Sequence, residues 1–454
     1  MSDLNPKIWP SSAKRENGEI SIGDCAATAL AAKYGTPIFV LDESDFAARA
    51  ENWLLGLRAT FQENAGSVFY AGKAFLSVEI AKAIAKLGLN LDVCTGGELA
   101  VAVAAKFPPA RIEMHGNNKS EKEIEAALEY GIATIVLDSL HEIERVARLA
   151  KARNLTQKVL IRLNPGVEAH THEYITTAIE DVKFGFSIAS GAAWEAVQLI
   201  LKSPNLKLVG VHSHIGSQIF TSAAFDATAV KLLEFMKRYR DEFNAELPEL
   251  IIGGGFGITY VEGDESIEIA TLLSQINQVV IENCKLSGLS IPKVSIEPGR
   301  AIVGPAMVTL YTVGTTKEVA LETGMKRLYV SVDGGMSDNI RTSLYGAEYT
   351  VRLANRNSGA TERECRIVGK HCESGDVIIQ SAMLPSDIKP GDLLMVAATG
   401  AYGRSMASNY NHVPRPGVIA VHSGKARTII RSETTADLLA LDVEESAEPI
   451  GERS

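Results

Sequence analysis

Between residues 67 and 297 the chain repeats one pattern: a short apolar run rich in β-branched residues, a polar or glycine-containing break, then apolar residues at helical spacing. The candidate strands are 67–71, 89–94, 111–115, 133–138, 158–163, 207–212, 249–253 and 293–297. The first four begin about 22 residues apart, the length of a short strand–helix unit, and the later ones leave room for longer loops. Eight such strands predict an α/β chain closed into a (β/α)8 barrel. The intervening segments carry apolar stripes, Ile124, Ala127 and Leu128 in one and Ile143, Val146, Ala147 and Ala150 in another. Ser120 with Glu123 three residues later predicts a capping box at the start of the first of these helices.

The flanks read differently. Residues 1–40 hold polar and Pro-containing segments, an alanine-rich helix from Ala26 to Tyr34 and a strand-like run from Pro37 to Leu41. Beyond about residue 305 the pattern becomes β-rich, as in Met307 to Val313, Arg327 to Val332 and Leu393 to Ala398, with Gly, Asp and Pro turns between. The expected division is a barrel over 41–304 and a second, mainly β domain built from 1–40 and 305–454. The acidic end from Asp442 to Ser454 is expected to be solvated, and no internal repeat stands out.

A chain of 454 residues with 46% hydrophobic and 22% charged residues can bury a large core. Its net charge of -10 argues against a nucleic-acid partner, while leaving room for a local basic pocket. The first residues contain no apolar signal segment and no membrane-length apolar run occurs, so a cytoplasmic location and no membrane partner are expected. Cys25, Cys94, Cys284, Cys365 and Cys372 are odd in number and lack C-x-x-C spacing, which predicts free thiols.

In a parallel barrel, chemistry collects at the strand exits. There the sequence places Lys73, then Asp92 and Cys94, His115 with Asn117 and Asn118, Asp138, Arg162 with Asn164, His214 with Ser217, Gly253 to Gly257, and Glu297 with Gly299 and Arg300. Asp92, Asp138 and Asn164 also suit caps or turns. Lys73 ends the run Ser67 to Gly72; among apolar neighbours it is expected to lose its charge readily and act as an amine nucleophile that forms a Schiff base. Glycine loops after the seventh and eighth strands suit a phosphate, and Ile258 breaks the dinucleotide pattern G-x-G-x-x-G. An amine, a phosphate cradle and a carboxylate for a pyridine nitrogen together point to pyridoxal 5'-phosphate, with His214 against the ring. The pairs His170/His172 and His212/His214 raise a rival reading, a metal-dependent barrel hydrolase, which leaves Lys73 and the glycine loop unused.

Tyr70-Ala71-Gly72-Lys73-Ala74, His115 to Lys119, His212 to Gln218, Gly253 to Gly257 and Glu297 to Arg300 occur in the order seen in fold-type III pyridoxal-phosphate-dependent decarboxylases, which the chain resembles over nearly its whole length. Within them it is most similar to the diaminopimelate decarboxylase family, through Arg341 with Leu344 to Ala347, Gly369 to Asp376, and Gly400 to Gly403. The resemblance implies decarboxylation of meso-2,6-diaminopimelate to L-lysine. Lys73 would bind the cofactor covalently, Asp92 would support it, Glu297 would meet the ring nitrogen and His214 would stack on the ring. Ser217, Gly255, Gly299, Arg300 and Tyr402 would surround the phosphate. Arg300, Arg341 and Tyr345 would hold the distal carboxylate, with Tyr402 also near the substrate, and Glu373 would hold the distal amine. It further implies a homodimer in which Cys372, the proton donor, and Glu373 act in trans. Thr342-Ser343 stands where relatives often have proline, which leaves that loop's geometry open. Decarboxylases of ornithine, arginine or carboxynorspermidine type, and a silent homologue, are the alternatives; Arg341 separates the first, and the presence of Lys73 and Cys372 argues against the second.

Overall fold

The computed structural model describes residues 4–443 apart from 168–182, 323 and 325. The barrel strands are β1 (Ala65–Ala71), β2 (Asn90–Val93), β3 (Ile112–Met114), β4 (Thr134–Leu137), β5 (Gln157–Asn164), β6 (Leu206–His212), β7 (Glu249–Ile251) and β8 (Lys293–Ile296). Each pairs in parallel with the next, and β8 returns to β1, so the sheet closes on itself. All eight strands expected from the sequence form, within a few residues of their expected ends.

Alternation along the strands decides what each residue meets. In β1, Phe69 joins Val136, Leu160, Val209 and Ile251 in a plug that fills the barrel interior, so the barrel is a packed core rather than a pore. Its neighbour Tyr70 points the other way, edge-on to Phe46 at 5.9 Å, and its hydroxyl donates to the Phe75 carbonyl at 2.6 Å. The helix carrying Phe46, Glu43–Phe61, precedes β1 and has no counterpart in the sequence reading above. Asp42 caps it by accepting from the Ser44 and Asp45 N–H groups. Ser120 and Glu123 form the expected capping box on the helix Glu121–Tyr130.

The second domain holds a mainly antiparallel sheet centred on the long strand Met307–Ala320. The strand Ile38–Asp42, ahead of the barrel in sequence, pairs antiparallel with Met307–Leu310 and parallel with Val418–Val421. Two further cores lie here, one around Tyr260, Tyr311, Val330 and Tyr349 and one around Trp9, Val40, Leu310 and Val421. All five cysteines are free. No helix among the described residues is long and apolar enough to cross a membrane. His170 and His172, and the acidic end beyond residue 443, lie outside the described residues.

Candidate active site

Lys73 sits in a short 3-10 turn, Gly72–Ala74, at the exit of β1. The segment around Tyr402 docks on that turn: the Tyr402 N–H and the Ser405 hydroxyl both donate to the Ala74 carbonyl, each at 2.9 Å. A side chain at Gly400 would meet the Val303 carbonyl oxygen at 1.9 Å, so only glycine lets the second domain approach this closely. The Lys73 side chain opens into a cavity of about 310 Å³ at the barrel mouth. Its protonation departs from the sequence expectation. Burial alone would push the ammonium down, but Tyr402, Cys94, Asp92 and Glu297 outweigh it and raise it to about 12. The neighbours that look apolar along the chain are replaced in space by acidic groups from other strands.

Beneath Lys73 lies a buried acidic pole. His115 Nε2 stands 2.9 Å from Glu113, 3.4 Å from Glu297 and 3.7 Å from Asp92, while His212 Nε2 stands 2.9 Å from Glu297. Thr134 donates to Glu113 at 2.9 Å. Three carboxylates this close cannot all ionise in a dry interior. Burial and the charge on Glu297 raise Glu113 to about 8; burial, again with Glu297, raises Asp92 to about 7. Glu297 is the one held well below the carboxylate range, because His212 and His115 more than offset its burial. The negative charge is therefore concentrated on Glu297, whose Oε1 is buried with no aligned hydrogen-bond donor. Asp92, which suited a cap by sequence, faces this pole instead; Thr95 caps the helix after β2. Asn164 does make a turn, accepting from the Gly166 N–H at 3.1 Å, and Asp138 accepts from the Gly185 N–H.

The loops after β6, β7 and β8 form the opposite rim. Ile219 N–H donates to the Gly255 carbonyl and Gly257 N–H to the Ile219 carbonyl, so the first two loops pair like strands. A side chain at Gly255, where φ is +99°, would strike the Gly216 carbonyl oxygen at 2.2 Å. One at Gly299 would meet Ala71 Cβ at 2.8 Å, which is how the β8 exit reaches the β1 exit. No hydrogen bond within the described chain uses the Gly255 or Gly299 N–H. Gly254 N–H donates to His214 Nδ1 at 3.2 Å, which makes Nδ1 an acceptor. Burial, with Lys73 and Arg162 nearby, pushes His214 well down. His214 is thus a neutral ring at the cavity edge.

The outer wall is cationic. Arg300 donates to Ser217 Oγ at 2.8 Å and to Tyr260 Oη at 2.6 Å and lies over the Tyr402 ring at 4.7 Å; its Nε is buried without a partner. Arg341, buried at 5% exposure, donates to Tyr349 Oη at 2.6 Å. Among the described residues neither guanidinium has a carboxylate within ion-pair distance. Buried charges are ordinarily paired, so this wall is complementary to an anion. Thr342 and Ser343 settle the geometry after Arg341: the Thr342 hydroxyl donates to the carbonyls of Ile378 and Ala347, at 2.7 Å and 3.1 Å, and Ser343 donates to the Gly375 carbonyl.

Lys73, His214, Ser217, Gly255, Glu297, Gly299, Arg300, Arg341, Tyr345 and Tyr402 all border the one cavity, with Asp92 buried just behind. Cys372 and Glu373 do not line it. They sit on an exposed turn braced by Asp376, which accepts from the His371 N–H at 2.7 Å and the Met336 N–H at 2.6 Å. Sequence reading passed over Glu113, Tyr260 and Tyr349; their signal was only a charged or phenolic residue in an otherwise apolar strand or loop. Of the two H-x-H pairs, His212 joins His115 and Glu297 in a group whose ligand atoms lie within 4.8 Å of one another, while His214 turns to the cavity. A larger hollow of about 740 Å³, which Tyr349 helps to line, holds none of the residues that border the Lys73 cavity.

A phosphorylated pyridine aldehyde suits the residues present. Lys73 offers the amine, ionised Glu297 an acceptor for a protonated ring nitrogen, neutral His214 a flat face, and the glycine N–H groups with Arg300 an anion cradle.

Residues 44–304 match the family described as pyridoxal-dependent decarboxylase, pyridoxal binding domain. The chain is 50% identical over 445 residues to the diaminopimelate decarboxylase of Mycobacterium tuberculosis, covering 97% of this chain and 98% of that one. It is 46% identical over 437 residues to that of Bacillus subtilis, covering 95% and 97%. Among solved structures it is similar to diaminopimelate decarboxylase from M. jannaschii in complex with L-lysine, with a TM-score of 0.88, 31% identity and coverage of 96% and 98%. The Helicobacter pylori enzyme complexed with L-lysine gives a TM-score of 0.81, 30% identity and coverage of 91% and 98%.

Proposed function

Because the chain belongs to the diaminopimelate decarboxylase family of pyridoxal-dependent decarboxylases, we propose that it uses pyridoxal 5'-phosphate to convert meso-2,6-diaminopimelate to L-lysine and carbon dioxide. The observation that carries this reading is the pairing, in one cavity, of Lys73 with two buried guanidinium groups that have no carboxylate partner among the described residues. A substrate that is an amino acid at both ends supplies the missing anion. Ornithine or arginine would bring no distal carboxylate and leave Arg341 unneutralised.

When bound, pyridoxal phosphate supplies an electron-withdrawing ring that takes up the electron pair released as carbon dioxide leaves. The chain's residues do the rest. Lys73 would hold the cofactor through its side-chain amine. Asp92, behind Lys73, supports its charge, and ionised Glu297 would accept from a protonated ring nitrogen. His214 would lie against the ring, and Ser217, Gly255, Gly299, Arg300 and Tyr402 would surround the phosphate. Arg300, Arg341 and Tyr345 fix the distal carboxylate, so that the reacting carbon is placed by the far end of the molecule.

The protein acts as a cytoplasmic homodimer in which each cavity is completed by the partner. The exposed turn bearing Cys372 and Glu373, which does not line its own cavity, supports this arrangement. Cys372 delivers the proton to the decarboxylated carbon and Glu373 takes the distal ammonium. The group His115, His212 and Glu297 could hold a metal, but a metal there leaves the arginine wall unneutralised and Lys73 idle.

The test is the absorption spectrum of the purified protein, with an expected band at about 420 nm that borohydride removes while leaving a label on Lys73. Added meso-diaminopimelate should then release carbon dioxide and lysine. A label on another lysine, or a band without lysine formation, defeats the reading.

A further inference from the structure

Arg300 and Arg341 face one cavity from different domains, and like charges in a dry site repel. What stands between them is a pair of buried phenols. Tyr260, on the loop after β7, and Tyr349, in the second domain, meet edge to face with ring centroids 5.3 Å apart at 85°. Tyr260 Oη accepts from Arg300 and Tyr349 Oη from Arg341, both at 2.6 Å. Each ring also lies near a guanidinium: Arg341 is 4.9 Å from the Tyr260 centroid and 5.6 Å from that of Tyr349. Thr350, next to Tyr349, donates to the Tyr260 carbonyl at 2.8 Å and ties the two segments together. Tyr260 and Tyr349 are 5% and 4% exposed, and neither borders the Lys73 cavity.

We infer that Tyr260 and Tyr349 are positioning residues: a phenol clamp that fixes two guanidinium groups at the separation required by the distal carboxylate, and so sets the preference for a substrate carrying one. The inference rests on the proposed reaction. A guanidinium with one N–H tied down presents its remaining donors in a set direction. Released, Arg341 would retreat from Arg300 and lose the carboxylate without losing the cavity.

The test compares L-lysine with 1,5-diaminopentane as inhibitors of holoenzyme turning over meso-diaminopimelate. The two differ only by the carboxylate that the wall receives. Tyr349→Phe keeps the ring packing and removes the hydroxyl. It should weaken L-lysine inhibition and raise the KM for diaminopimelate about tenfold, the loss of roughly one charge-assisted hydrogen bond. Inhibition by 1,5-diaminopentane, kcat and the cofactor spectrum should stay within about twofold. Tyr260→Phe should act in the same direction, and the two changes together should be less than multiplicative because they share one clamp. Equal weakening of both inhibitors would make Tyr349 mere packing, and unchanged inhibition by both would also overturn the inference. A wild-type protein that fails to distinguish the two amines removes the proposed substrate itself. A wild-type preference that survives Tyr349→Phe removes only the clamp.

Discussion

At the floor of the cavity, three carboxylates and two imidazoles crowd behind Lys73; at its wall, two guanidinium groups face the same space with phenols and a serine for partners. The floor has more acid than it can ionise and disposes of the excess by leaving Glu113 protonated and raising Asp92 to about 7. The wall has no such outlet, because arginine stays charged. A floor whose charge is adjustable suits a reaction in which protons move, and a wall whose charge is fixed suits recognition of an anion that never changes. The two ends of the cavity should therefore respond differently to substitution, the floor through chemistry and pH and the wall through affinity.

The largest effect is expected for Lys73→Ala, which removes the amine the floor surrounds. Turnover should fall by at least about a thousandfold, and borohydride should leave no label at that position. Comparable activity in the variant would remove Lys73 from the chemistry. Cys372→Ala should lower kcat by about a hundredfold to ten-thousandfold while leaving the cofactor spectrum intact. Mixing the two inactive variants distinguishes a shared site from a private one. If Cys372 acts across a dimer, subunit exchange should restore about a quarter of wild-type activity, since half the dimers are mixed and each holds one intact cavity. No recovery after demonstrated exchange would place Cys372 outside the partner's site.

Arg341→Ala tests the wall. Loss of a desolvated charge partner is worth about 2–4 kcal/mol, so kcat/KM for diaminopimelate should drop roughly thirtyfold to a thousandfold, mainly in KM. The effect should be nearly constant from about pH 6 to about pH 9, because no titrating group is removed. An unchanged KM would end the assignment of the distal carboxylate to this arginine.

Much of the floor was legible in the sequence, because a barrel sends each strand exit to one face and the residues there can be counted off: Lys73, Asp92, His115, His214 and Glu297 follow from topology alone. The charge state of Lys73 was not. Ser67 to Gly72 describes its neighbours along the chain, whereas Tyr402 and Cys94, then Asp92 and Glu297, all from other segments, raise its pKa against the effect of burial. Glu113 was missed for the same reason: within Ile112–Met114 it looks like an outward polar residue, yet closure of the barrel turns it inward toward His115. At the wall, Arg341 was found through family likeness rather than physical pattern, because second-domain loops have no counting rule. Tyr260 and Tyr349, 89 positions apart, become neighbours only once the two domains dock. The helix Glu43–Phe61 escaped because its apolar face, Phe46, Trp53 and Leu57, is diluted by alanine and charge.

The smallest effect separates floor from wall by stability rather than catalysis. Glu113 is raised from the ordinary glutamate value to about 8 in the cofactor-free fold, first by burial and then by Glu297, while His212 and the Thr134 hydroxyl pull the other way. A carboxyl raised on folding binds a proton more tightly in the folded state than in the unfolded one. Its contribution to stability is therefore complete below the unfolded value, about 4, and is lost as pH rises through about 8. Glu113→Gln keeps a polar group for Thr134 and His115 but cannot titrate. Between about pH 5 and about pH 8.5 the melting temperature of the cofactor-free wild type should decline by a few degrees more than that of the variant, so that the two curves converge or cross at the alkaline end. Asp92, raised for the same first cause, leaves the variant a smaller residual slope. Arg341→Ala supplies the contrast: its melting curve should shift by the same amount at every pH in that range, because the wall carries a fixed charge. Parallel curves for wild type and Glu113→Gln would mean that the floor does not store its proton on Glu113, and the distinction between an adjustable and a fixed end of the cavity would have to be drawn elsewhere.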